Sequence, residues 1–215
     1  MSKKVSLHTV LKNGYANDKQ KNLDGYMLDK DLSNDTHQTY YNPKEKKLLY
    51  NVRGTRPTNL GDWLTNAKLL IGRGFKESDR YKDAEEGLKK AKQKYKTDSA
   101  SVVGSSLGGN IANYIGGSKD KITTYNKAAT FGGSLKHGTH YRTSGDIVSL
   151  LDVGKTHSKT IANDNTKGIL KTLGKGAVAV ATENPALAVD YLKETANHVL
   201  DAHKVDNIKD KPIFV

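Results

Sequence analysis

Ser106 stands at the centre of Gly104-Ser105-Ser106-Leu107-Gly108-Gly109, a G-x-S-x-G pattern. Val102 and Val103 precede it, and Ile111, Ala112 and Ile115 follow. That order reads as strand, tight turn, helix, the setting of a nucleophile elbow. Such a turn forces the serine backbone into a strained conformation and projects the hydroxyl beyond the sheet. Glycines at 104 and 108 remove side chains that would clash there. The helix N-terminus beneath offers free N–H groups to developing negative charge. The pattern therefore points to a nucleophilic serine. Two other readings use the same residues. The turn can be purely structural, or Gly104, Gly108 and Gly109 can cradle an anion. The dinucleotide G-x-G-x-x-G and the P-loop G-K-S/T are both absent.

A serine nucleophile needs a base, and histidine shuttles protons most readily near neutral pH. The chain has seven: His8, His37, His137, His140, His157, His198 and His203. It has no cysteine, which excludes disulfides, thiolate zinc sites, iron–sulfur clusters and a Cys nucleophile. No cofactor or metal is expected.

The elements that must position these residues are legible in outline. The chain is 215 residues long, which predicts a single domain over 1–215. Residues 1–40 are polar and rich in turn residues, and read as short helices and loops covering one side. Strands are expected at Thr36 to Tyr41 and Lys47 to Val52, joined by a turn at Asn42-Pro43-Lys44-Glu45. Asn59 or Gly61 opens a helix that Gly72 and Gly74 stop. A longer helix runs from about Ser78 to Tyr95, with Tyr81, Ala84, Leu88, Ala91 and Tyr95 as one apolar stripe. Its lysines read as solvated. Strands follow at Ala100 to Gly104 and Lys121 to Tyr125, with further candidates at Thr139 to Arg142 and Lys155 to Ala162. The helix between Leu107 and Tyr114 ends at Gly116 and Gly117. Residues 165–203 read as helical, with one helix near Lys167 to Val180 and another from about Pro185 to Ala202. Strands alternating with helices predict an α/β fold, a mostly parallel central sheet with helices on its faces.

The motifs, taken in order, resemble the class 3 lipase family of α/β-hydrolases. Val52-Arg53-Gly54-Thr55 with Asp62-Trp63-Leu64 is similar to that family's strand-end "RGT" and downstream "DWL". Gly74-Phe75, the Ser106 elbow, Thr124-Tyr125-Asn126 through Thr130-Phe131-Gly132, Tyr141-Arg142 and Gly145-Asp146-Ile147-Val148 follow in family order. The likeness covers roughly residues 47 to 150. It implies an α/β-hydrolase-like fold with helices on both sheet faces, and a serine ester hydrolase acting on lipid through an acyl-enzyme. It implies Ser106 as nucleophile, with the backbone N–H groups of Thr55 and Leu107 as oxyanion hole. Asp146 is implied as the acid, with Asp152 and Asp164 as weaker candidates. Chain order in these hydrolases is Ser, acid, His, so the base follows Asp146. His198 is the first choice, His203 the second and His157 the third. Two departures stand out. Ser105 sits where the family often has His, and Thr55 to Trp63 is short for its lid. Gly168 to Leu192 can serve as a lid instead, or as a plain helical hairpin.

Lys and Arg number 35 against 23 Asp and Glu, a net charge of +12. Such a field favours anionic partners, and a phospholipid substrate with peripheral contact to an anionic membrane suits it. The alternative function is a non-catalytic basic binding protein on a hydrolase-like fold. Nucleic acid is the weaker partner, because no binding motif appears and the lysines are spread along the chain. A bland, Lys-rich solvated surface explains the charge equally well. The stretch from Gly176 to Tyr191 is broken by Glu183, Asn184, Pro185 and Asp190 and is too polar to span a bilayer. Met1 to Val10 lacks the apolar core of a signal peptide. The expected location is inside a cell or packaged in a particle.

Overall fold

The computed structural model describes residues 4–56, 75–128, 135–144, 146, 157–162, 201 and 203–215. One eight-stranded sheet organises them, with the strands in sequence order from edge to edge. Strands β1 (Asn22–Leu23), β2 (Tyr26–Asp29), β3 (His37–Asn42) and β4 (Lys47–Val52) form an antiparallel meander. From β4 onward the pairing is parallel, through β5 (Ser101–Ser105), β6 (Lys121–Tyr125), β7 (Thr139–Thr143) and β8 (Ser158–Ile161). The α/β architecture and the parallel central strands agree with the sequence reading.

Alternation along the strands divides the core in two. Leu48, Tyr50, Val52 and Val102 point to one face. There they meet α2 (Asp79–Lys94) and α3 (Ser106–Ile115) through Tyr81, Ala84, Leu88, Leu107, Ile111 and Ala112. The apolar stripe expected on α2 is the face it buries. Ser78 caps this helix, its side chain accepting from the Tyr81 N–H. Two of its lysines are not merely solvated. Lys92 pairs with Asp120 and Lys94 with Asp29, so the helix is tied to the sheet at its C-terminal end.

Leu49, Val103 and Tyr125 point to the other face, against α1 (Leu7–Tyr15). Here the sequence reading of residues 1–40 needs correcting. Leu7, Val10 and Leu11 are fully buried, so α1 covers this face as part of the core. Tyr26 and Leu23 are likewise buried, in strands that lengthen the sheet. Those strands are short and broken by Asp24-Gly25, which hid their period from a composition-based reading. The C-terminus closes this face. Leu7 N–H donates to Ile213 O at 2.8 Å and Val215 N–H to Val5 O at 3.1 Å. Val205 and Ile208, in a short 3-10 turn, join the same cluster. His8 and Lys12 both reach Asp206, at 2.9 and 2.7 Å. Helix α1 thus anchors the tail of the chain. Among the described residues no helix is long and apolar enough to cross a membrane.

Candidate functional site

Strand β5 ends at Ser105, and the chain turns into α3 at Ser106, whose φ is 53°. A left-handed non-glycine residue is uncommon and costs energy, and it is the conformation a nucleophile elbow requires. The surroundings explain the glycines. A side chain on Gly104 would run into the backbone of Gly108, and one on Gly108 into the carbonyls of Val52 and Arg53. Strand β4, strand β5 and the first turn of α3 therefore pack backbone to backbone directly behind the serine. Ser106 and Leu107 are nearly buried at this junction, and the Ser106 carbonyl accepts from the Ala128 N–H at 3.0 Å.

The strand-end segment after β4 lies against the elbow. A Cβ on Gly54 would sit 3.0 Å from Ser106 Cβ. Thr55, expected to contribute an oxyanion donor, follows directly and is half-buried. Gly54 O accepts from Arg53 Nη1 at 2.9 Å and from Arg80 Nη2 at 3.0 Å, and Arg80 Nη2 also donates to Arg53 O. Arg53 forks onto Asp35, which also pairs with Arg56. Tyr15, at the end of α1, hydrogen-bonds Ser105 Oγ at 3.1 Å, and burial pushes its pKa up.

Two strands away, Asp146 follows β7. Its N–H donates to Thr143 O at 3.2 Å and its carboxylate is fully buried. His203 Nδ1 lies 2.9 Å from Asp146 Oδ1. A protonated Nδ1 facing the carboxylate fixes the tautomer and leaves Nε2 as the basic nitrogen. The histidine held by Asp146 is thus the second choice of the sequence reading. His198, the first choice, lies outside the described residues, as do Asp152 and Asp164. His157 is exposed just before β8, whose first residue is level with His140, Thr124 and Gly104, three strands across from β5, and no contact joins it to Asp146 among the described residues. His8, His137 and His140 are engaged elsewhere, with Asp206, Asp120 O and Thr124 respectively. The lid candidate Gly168 to Leu192 and the Asp62-Trp63-Leu64 motif also fall outside the described residues.

The acid and the histidine are linked by more than their own contact. Tyr125 OH bridges Thr143 Oγ1 at 2.6 Å and Lys204 O at 3.0 Å. Asn126, at φ 44°, accepts from Thr143 N–H and donates to Thr143 Oγ1. Burial raises the Tyr125 pKa to about 12, so the phenol stays protonated and keeps donating. One buried hydroxyl therefore joins the segment that leads to Asp146 to the segment that carries His203. The sequence offered little sign of this, because Tyr125 read as the end of an ordinary strand and Thr143 lay just past the strand expected at Thr139 to Arg142.

Ser106 and Asp146 follow β5 and β7 at the C-terminal ends of the parallel strands, and His203 joins them through Asp146. Ser105, Tyr125 and Tyr141 are level across β5, β6 and β7. Two strand spacings place the acid's strand roughly 10 Å from the elbow's strand. Among the described residues no three metal-ligating side chains converge. No protein-family model matches the chain, and no curated protein matches it.

Proposed function

We propose that this chain is a serine ester hydrolase that acts on lipid, in the manner of a class 3 lipase on an α/β-hydrolase fold. The observation that carries the reading is the pair of His203 and Asp146 at the same C-terminal end of the parallel strands as Ser106, which sits in a left-handed turn. In this reading Ser106 Oγ attacks the ester carbonyl and passes its proton to His203 Nε2. Asp146 holds the ring in the required tautomer and stabilises the imidazolium. The Thr55 and Leu107 N–H groups receive the oxyanion. Collapse of the tetrahedral intermediate expels the alcohol, which takes the proton from His203 and leaves Ser106 acylated. Water, deprotonated by the same imidazole, then releases the acid.

His203 is preferred to His198 as base because its ring is already hydrogen-bonded to Asp146. The net charge of +12 favours a phospholipid or another anionic lipid surface over a neutral soluble ester.

A fluorophosphonate probe tests the reading. Wild type is expected to be labelled on Ser106, with the adduct located by peptide mass spectrometry. Ser106→Ala is expected to lose both labelling and hydrolysis of p-nitrophenyl esters. A folded wild type that ignores the probe and every ester, short-chain or long-chain, would overturn it and favour a binding protein on the same scaffold.

A further inference from the structure

We propose that Arg80 is a positioning residue for the oxyanion pocket: with Arg53 it holds the Gly54 carbonyl so that the N–H of the same peptide group, that of Thr55, faces Ser106. The inference rests on the hydrolase reading and names a residue that the motif order does not. A peptide group is planar, and in the trans form its C=O and N–H point in opposite directions. Fixing the carbonyl therefore fixes the amide. The Gly54 carbonyl accepts from two guanidinium groups, Arg53 Nη1 at 2.9 Å and Arg80 Nη2 at 3.0 Å. Arg80 Nη2 reaches the Arg53 carbonyl as well, so two successive peptide planes are held by one nitrogen. Two cations on one carbonyl also polarise the peptide and make its N–H a stronger donor.

The placement of Arg80 makes little sense as a stabilising device. No carboxylate pairs with it among the described residues, since Asp35 is taken by Arg53 and Arg56. Its Nε is buried with no hydrogen-bond partner among them. Burial and the neighbouring Arg53 lower its pKa to about 10, with Tyr15 and Asp35 offsetting this only in part, and a partly buried guanidinium without a directly paired carboxylate costs stability. What the side chain does provide is two hydrogen bonds to the strand end that packs against Ser106 Cβ.

Arg80→Met and Arg80→Lys test this in the full chain, with circular dichroism as the check on folding. Removing an oxyanion donor outright costs about 10²–10³ in kcat. Arg80 acts through the peptide, so Arg80→Met is expected to lose roughly ten- to a hundredfold in kcat with KM little changed. Arg80→Lys, whose ammonium still reaches Gly54 O, is expected to recover part of that loss. Inhibition by a trifluoromethyl ketone, which forms a tetrahedral adduct with Ser106, should weaken by the same factor as kcat/KM. Full kcat in Arg80→Met overturns the proposal. Unchanged ketone inhibition in either variant also overturns it, and the Lys variant decides the matter if the Met variant does not fold. An inactive wild type is a different result, because it sinks the hydrolase reading itself.

Discussion

Ser106 sits at φ 53° in a turn where β4, β5 and the first turn of α3 pack backbone to backbone. Gly108 is the sharpest case. Its missing side chain is what lets the β4 backbone touch the first turn of α3, so Gly108→Ala is expected to abolish soluble expression or shift the melting temperature down by many degrees. The histidine assignment is equally testable at this scale. With His203 as base, His203→Gln should cost on the order of 10⁴-fold or more in kcat, because triad members fail as a unit. His198→Gln should cost far less, and steady-state hydrolysis of a p-nitrophenyl ester by both variants distinguishes them. The reverse outcome would return the role to His198. The sequence narrowed the base to histidines that follow Asp146, and it went no further. Residues 198 and 203 are only five apart, and nothing in their immediate neighbours says which ring meets a carboxylate. That depends on where the chain docks after it leaves the sheet.

At the scale of elements, the ends of helices and strands are pinned by charge. Asp29, at the end of β2, accepts from Lys94 Nζ at 2.6 Å and from Tyr95 OH at 2.8 Å, and its other oxygen caps the turn at Asp31 and Leu32. Burial by itself would raise its pKa. The lysine, the phenol and the backbone donors outweigh that and hold the carboxyl below its ordinary value. A carboxyl whose folded pKa is depressed stabilises the fold above the unfolded value, near 3.9, and loses that contribution as pH falls through the folded value. Asp29→Asn is thus expected to lower the denaturation midpoint at pH 7, and the gap from wild type should close below about pH 4. A gap that stays constant from pH 7 to pH 3 would show that the ion pair contributes nothing. The periodicity of α2 showed its buried face in advance, and its N-cap was visible as Ser78. The ties of Lys92 and Lys94 were not visible, because their partners, Asp120 and Asp29, come from distant parts of the chain.

Across the whole molecule, the first helix and the C-terminal segment cooperate on one face of the sheet. Helix α1 packs on the face of β4, β5 and β6 and binds the C-terminal segment through Asp206 and the backbone of Val5 and Leu7. That segment carries His203. The excess of positive charge also acts at this scale. If it serves to gather anionic lipid, sedimentation with phosphatidylglycerol vesicles should capture the protein, and phosphatidylcholine vesicles should not. Capture should weaken sharply as salt approaches 1 M, where the screening length is about 3 Å. Equal binding to both vesicle types, or binding indifferent to salt, would leave the charge without a role at lipid.

The amino-acid sequence alone determined the local chemistry: a serine in a strand–turn–helix elbow, the central strands, the amphipathic α2 and a basic net charge. These are properties of neighbouring residues and of period, so they can be read along the chain. Which histidine stands on Asp146, which arginines hold the Gly54 carbonyl, and that the first helix belongs to the core were decided only in three dimensions. His203 on Asp146, Arg80 on Gly54 and the first helix on the sheet are contacts between residues distant along the chain, and such contacts leave no local pattern.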